Sequence, residues 1–296
     1  MLYKHFLLLS ILICLFSCSQ AQDKKSTNNS ESKLSVYVQG RKLFKTNLTK
    51  REKSPQTSEK LKDVNGTIKL VFYESAGRKL KGLLDTTNIE KGKPKPAIVY
   101  LHGGFSLGYA DVTDCKPFTD AGYVVFAPSY RGENGNSGYF ELMLGEVDDA
   151  NEAIKWLAKQ DFINKDSIFV FGHSIGGGIA LSLSLHPDAP INKSGSSAGV
   201  YDVGTLKSWE GDGYVPFDYN KEEEAAYRLP IYSLQYMVRP HQMYIGKDDD
   251  FEPTKSFVKE LYPNKSIKMN LIEVEGNHFS SLQYAMEKFL AHIKNK

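Results

Sequence analysis

Ser174 stands between two glycines in the run Gly172-His173-Ser174-Ile175-Gly176. A serine flanked this way suits a sharp strand-to-helix turn, which lifts its hydroxyl clear of the backbone. Such a hydroxyl attacks a carbonyl at neutral pH only with a base to take its proton and a carboxylate to orient that base. On this kind of turn the acid and then the histidine follow the serine in the chain. His278, in Glu275-Gly276-Asn277-His278-Phe279, falls in a loop after a strand and before the last helix, where a strand-end base would sit. His241, beside Pro240, opens a strand and points to the wrong end. His186, beside Pro187, ends the helix behind Ser174 and is expected on the surface. The acid falls among Asp248, Asp249 and Asp250, and the residues alone leave the choice open. These aspartates lack the glycine and distant glutamate of a calcium loop. The oxyanion formed by attack needs two backbone N–H donors. Ile175 supplies one, and the turn His102-Gly103-Gly104-Phe105 supplies the other from Phe105 or Gly104.

The pentapeptide is short enough to occur by chance, so the elements around it decide its meaning. Residues 167–171 are β-branched, aromatic and apolar, as a buried strand requires, and residues 176–185 open a helix. Strands are also predicted at 67–73 and 79–84, joined by a turn at 75–77, and at 97–101, 123–127, 194–200, 241–245 and 267–274. Val147, Ala150, Ile154 and Leu157 give a helix over 146–159, with Glu146, Asp148 and Asp149 in its first turns. Ala285, Phe289 and Ile293 give another over 282–293. Strands alternating with helices imply an α/β fold with a mostly parallel central sheet covered on both faces. Ser174, the turn after His102 and the segment after Ile245 then meet at the carboxyl ends of the strands. Residues 202–238 interrupt the alternation and read as a small cap; Trp209, Tyr214 and Tyr219 in it would suit a carbohydrate-bearing substrate.

The chain has 296 residues, 41% of them hydrophobic, and a formal net charge of +2. That bounds it to one ordinary domain with extra segments. No basic face with interleaved aromatics points to nucleic acid. Residues 1–18 read as a lipoprotein signal peptide: the apolar run is too short to span a bilayer, and Leu15-Phe16-Ser17-Cys18 ends it as a lipobox does. Cleavage near Ala21 is the competing expectation. Cys18 would carry the lipid and anchor the protein in a bacterial cell envelope. Within 19–65, residues 22–32 are mostly Lys, Ser, Thr and Asn and read as a flexible tether, while 33–62 are mostly polar with one β-like stretch, 34–38, and no further assignment; the domain is expected from 66 to 296. Cys115 is then the folded part's one cysteine, a small buried hydrophobe without a disulfide partner. No Cys/His spacing suggests a metal.

The whole pattern resembles the α/β-hydrolase superfamily, and within it the catalytic domain of the prolyl oligopeptidase family and the dienelactone-hydrolase-like esterases. The resemblance covers about 67–294 and rests on 102–105, 128–132, 146–149, 172–177, 246–249 and 276–278. It implies that the acid is Asp249, three residues after Gly246, with Pro253 in step. It also implies that Tyr130 borders the pocket, and Gly104 and His173 join it as substrate-binding candidates. Two departures favour an esterase over a peptidase: fewer than 70 residues precede the domain here, and Ile175 stands where many such peptidases carry an aromatic. The expectation is an exported hydrolase that needs no cofactor and takes a small ester or a short peptide. A prolyl-oligopeptidase-like serine peptidase is the alternative, and a non-catalytic binding protein on the same fold a third.

Overall fold

The computed structural model describes residues 36–64, 66–249 and 267–294. Leu34–Lys296 forms one compact unit, and Met1–Lys33 lies outside the described residues. The proposed leader, Cys18 and the Lys/Ser/Thr/Asn segment therefore fall outside the description, as do Asp250 and Pro253.

Eight strands make one sheet: β1 (Ile68–Ser75), β2 (Arg78–Asp85), β3 (Lys95–Leu101), β4 (Val124–Pro128), β5 (Ile163–His173), β6 (Lys193–Ser197), β7 (His241–Gly246) and β8 (Met269–Val274). Their order is β1-β2-β4-β3-β5-β6-β7-β8. β1 and β2 form an antiparallel hairpin, and its turn takes positive φ at Ala76 and Gly77, as a tight two-residue turn requires. β2 pairs antiparallel with β4, and every pairing from β4 through β3 to β8 is parallel. β5 sits at the centre, and its last six residues are all buried.

Side chains alternate across this sheet and divide the core in two. Ala97, Val99 and Leu101 of β3 join one cluster, with Ile154 and Ile179. Ile98 and Tyr100 join the other, with Phe118 and Phe289. The helices follow that division. On one side lie α4 (Gly145–Ala158) and α5 (Ile175–Leu183); on the other lie the short α2 (Ala110–Thr113), α3 (Lys116–Asp120) and the closing α8 (Ser281–Lys294). Cys115 is fully buried, as expected. Between β6 and β7 the insertion carries α6 (Val203–Glu210), α7 (Glu222–Ala226) and a 3₁₀ turn over Pro230–Tyr236. Among the described residues no helix is long and apolar enough to cross a membrane.

Two sequence expectations change, and one unassigned stretch finds its place. The stretch expected to be β-like is helical from Val36, in α1 (Val36–Leu43). Tyr37 and Val38 bury against the core, and the Arg41 guanidinium binds the carbonyls of Tyr227 and Leu144 and the Asp148 carboxylate. His186 is buried rather than on the surface, because α1 covers the end of α5: Tyr37 meets the His186 ring edge-on at 6.1 Å. The part of 19–65 that is described, which the sequence leaves unassigned, packs against the domain. Residues 44–63 form a strap over the turns that follow β3 and β4.

Candidate active site

Two glycines make the turn at Ser174 possible. A Cβ on Gly172 would fall 2.0 Å from the Gly176 carbonyl oxygen, and one on Gly176 would fall 2.0 Å from that of Leu101. Ser174 itself has φ +52° and ψ −119°, a backbone conformation that L-residues hold only when the surroundings enforce it. The surroundings do so: Ser174 N–H donates to Ser197 at 3.0 Å, and its carbonyl accepts from Gly177 at 2.9 Å and Val200 at 3.0 Å. The serine is half-buried at the start of α5. First-turn N–H groups of a helix have no intrahelical acceptor, so the Ile175 N–H is placed to meet negative charge formed beside Ser174.

The acid and the base come from two loops tied to each other. Lys247 N–H donates to Val274 at 2.9 Å, and Asp248 N–H donates to Gly276 at 3.1 Å. Gly246 allows the approach, since a Cβ there would lie 2.2 Å from the Gly276 oxygen. This cross-bonding sets Asp249 Oδ2 3.4 Å from His278 Nδ1. Asp249 is 5% exposed, while Asp248 is open to solvent. The structure thus brings Asp249, and not Asp248, to the histidine. Asn277 caps the loop, with Oδ1 accepting from the N–H groups of Phe279 and Ser280 at 3.1 Å.

His173 has a second part beside the one its sequence position suggested. It lines the cleft, and its Nε2 lies 2.8 Å from the His278 carbonyl oxygen. Burial pulls its imidazolium down to about 4, so the ring is neutral near pH 7. It carries its proton on Nε2 to donate to that carbonyl. His173 therefore steadies the backbone of His278. Tyr130 lies deeper than expected. It is buried, its ring stacks on His102 at 5.0 Å, and it is absent from the lining of the two clefts that meet at His278.

The turn 102–105 rests on a buried ion pair. His102 Nε2 meets Glu133 Oε1 at 3.0 Å and Nδ1 meets the Gly103 carbonyl at 3.0 Å. Burial pulls this imidazolium down, but the charge and hydrogen bond of Glu133 outweigh it and raise His102 to about 9. With an acceptor at each nitrogen, the ring is doubly protonated at neutral pH. Gly103 packs close to Ser174, since a Cβ on Gly103 would lie 3.4 Å from that of Ser174. The Phe105 N–H points to the Gln56 side chain, with Oε1 at 2.8 Å. Trp209 and Tyr214 of the insertion pack on the Phe105 ring at 5.6 Å and 4.9 Å, and Tyr219 bonds Glu210. Two of the three cap aromatics are thus spent on covering the turn.

Two clefts meet at His278. One, of about 550 Å³, holds Gln56, Gly104, Asp111, His173 and Ser174; the other, of about 580 Å³, holds Asp202, Trp209, Asp248 and Asp249. His278 and Phe279 line both. Phe279 is 77% exposed. Its adjacency to His278 was the signal that could have marked it. Nothing in the local sequence marked Gln56 or the pairing of His102 with Glu133, which lie far from each other along the chain. His241 is buried outside both clefts, between the hydroxyls of Ser194 at 2.8 Å and Ser196 at 2.7 Å.

A mostly parallel sheet with its nucleophile turn after the central strand, and its acid and histidine loops after the strands beyond, defines an α/β-hydrolase. Solved structures agree on the fold. An esterase from Pyrobaculum calidifontis aligns with a TM-score of 0.58 at 18% identity, covering 77% of this chain and 85% of its own. A putative dipeptidyl aminopeptidase IV from Bacteroides ovatus aligns with a TM-score of 0.64 at 20% identity, covering 77% of this chain and 36% of its own. Among curated proteins, the uncharacterized peptidase YtmA of Bacillus subtilis is 32% identical over 136 residues, 45% of this chain and 51% of its own length. The match therefore spans about half of that relative. The sequence pattern of the prolyl oligopeptidase family covers residues 110–292. The chain belongs to the prolyl oligopeptidase family, whose members are serine hydrolases.

Proposed function

We propose that the protein is a serine hydrolase of carboxylic esters, exported and held at the cell envelope by a lipid on Cys18. One observation carries the chemistry: Ser174 opens α5 at φ +52° in the cleft it shares with His278, and His278 Nδ1 lies 3.4 Å from the buried Asp249 carboxylate. In this reading His278 Nε2 takes the Ser174 proton as Oγ bonds to the ester carbonyl carbon. The carbonyl electron pair moves to oxygen, and the N–H groups of Ile175 and Phe105 hold the oxyanion. Collapse expels the alkoxide, which leaves with the proton from His278. Water then attacks the acyl-enzyme by the same steps and frees Ser174. Asp249 keeps the histidine in the tautomer this needs and stabilises its cation.

Membership of the prolyl oligopeptidase family favours a second reading, cleavage of short peptides. The two clefts either side of His278 would accept an extended substrate as readily as an ester with two sizeable groups. Initial rates on p-nitrophenyl acetate and on a dipeptidyl p-nitroanilide separate the readings. Ester turnover with little anilide turnover supports the esterase; anilide turnover without ester preference supports the peptidase.

A further inference from the structure

The donor assigned to the oxyanion is engaged by the chain itself. Phe105 N–H donates to Gln56 Oε1 at 2.8 Å, and a carboxamide oxygen is the same kind of acceptor as a substrate carbonyl. Gln56 is no stray surface side chain, because the strap is fastened on both sides of it. The Ser54 hydroxyl bonds the Phe105 carbonyl, and Ser54 N–H donates to Gly132 at 3.0 Å. Ser58 Oγ accepts from the Ser106 hydroxyl at 2.9 Å and from Asn134 N–H at 3.0 Å. The turn leaves room for the amide at one point: a Cβ on Gly104 would lie 2.7 Å from Gln56 Oε1. Gln56 also lines the cleft that holds Ser174 and His278.

We propose that Gln56 makes an autoinhibitory contact, an internal competitor that a substrate carbonyl must displace from the Phe105 N–H before acylation. This rests on the reading of Ser174 as the nucleophile of a hydrolase. A neutral amide bond of this kind is weak in net terms, and the side chain is exposed, so displacement is reversible and costs every substrate a similar amount. Gln56 therefore slows the acylation of small and extended substrates by a similar factor.

The test compares wild type, Gln56→Ala and Gln56→Glu on p-nitrophenyl acetate near pH 7.5, alongside the rate at which a fluorophosphonate labels Ser174. Gln56→Ala removes the competitor and should raise kcat/KM and the labelling rate by about two- to tenfold. Gln56→Glu replaces it with a carboxylate of the same shape that binds the N–H more strongly, so both rates should fall by a similar factor. Matching urea midpoints for the three proteins tie the effect to the site. An alanine variant at or below wild type, or a glutamate variant at or above it, overturns the proposal while leaving the hydrolase reading in place. Absence of both turnover and labelling in all three overturns that reading and this proposal with it.

Discussion

At the residue scale burial and reach separate Asp249 from Asp248, while Asp250 lies outside the described residues. Asp249 is enclosed and lies 3.4 Å from His278 Nδ1, whereas Asp248 faces solvent. Asp249→Asn should keep the fold and lower kcat/KM on p-nitrophenyl acetate by about 10²–10⁴-fold, since the histidine loses the charge that orients and stabilises its cation. Asp248→Asn should stay within about twofold of wild type. Equal losses in the two variants would remove Asp249 from the triad. Ser174, His278 and the acidic cluster were legible in the sequence because the chemistry demands those residue types in that order. The roles of His173 and Tyr130 were not. Both depend on what lies across the sheet ends: a carbonyl of the His278 loop for one, and the His102 ring for the other.

At the element scale the turn 102–105 is supported by the loop after β4. Glu133 binds His102 and also accepts from the Tyr130 N–H, while Arg131 forks onto Asp149 of α4 at 2.8 and 2.7 Å. The acids at the start of α4 were legible as a helix-start signal, but Asp149 is fully buried and spent on Arg131. Periodicity gives an element's face and not its ion-pair partner. The same limit hid the strap, whose residues carry no apolar period and are held by side-chain and backbone hydrogen bonds. The His102 pair makes a pH prediction with a defined sign. Its imidazolium is raised from about 6.5 to about 9 in the folded protein, under the charges of Glu133 and Asp111 and against the Tyr130 ring. Its stabilisation is therefore fully present below pH 6.5 and lost as pH rises through 9. Urea midpoints should fall for wild type between pH 6.5 and 10 and fall less for His102→Gln. Parallel pH curves for the two proteins would show that His102 is neutral when folded.

At the scale of the whole molecule, the parallel sheet brings loops from β3, β5, β7 and β8 to one edge, and a cap and a strap close over them. The alternation of strands and helices made that architecture legible, and even the cap was visible as a gap in the alternation. Cys18 makes a separable prediction. Cys18→Ala should move the protein from the membrane pellet to the soluble fraction of a bacterial host without altering ester turnover; unchanged membrane association would rule out that anchor. The central claim is the nucleophile. The most direct measurement is turnover of p-nitrophenyl acetate and labelling by a fluorophosphonate in wild type and Ser174→Ala. The account predicts turnover and labelling in wild type, and in the variant no labelling and a loss of turnover of at least about a thousandfold. Turnover in the variant comparable to wild type, with the label on another residue, would contradict it.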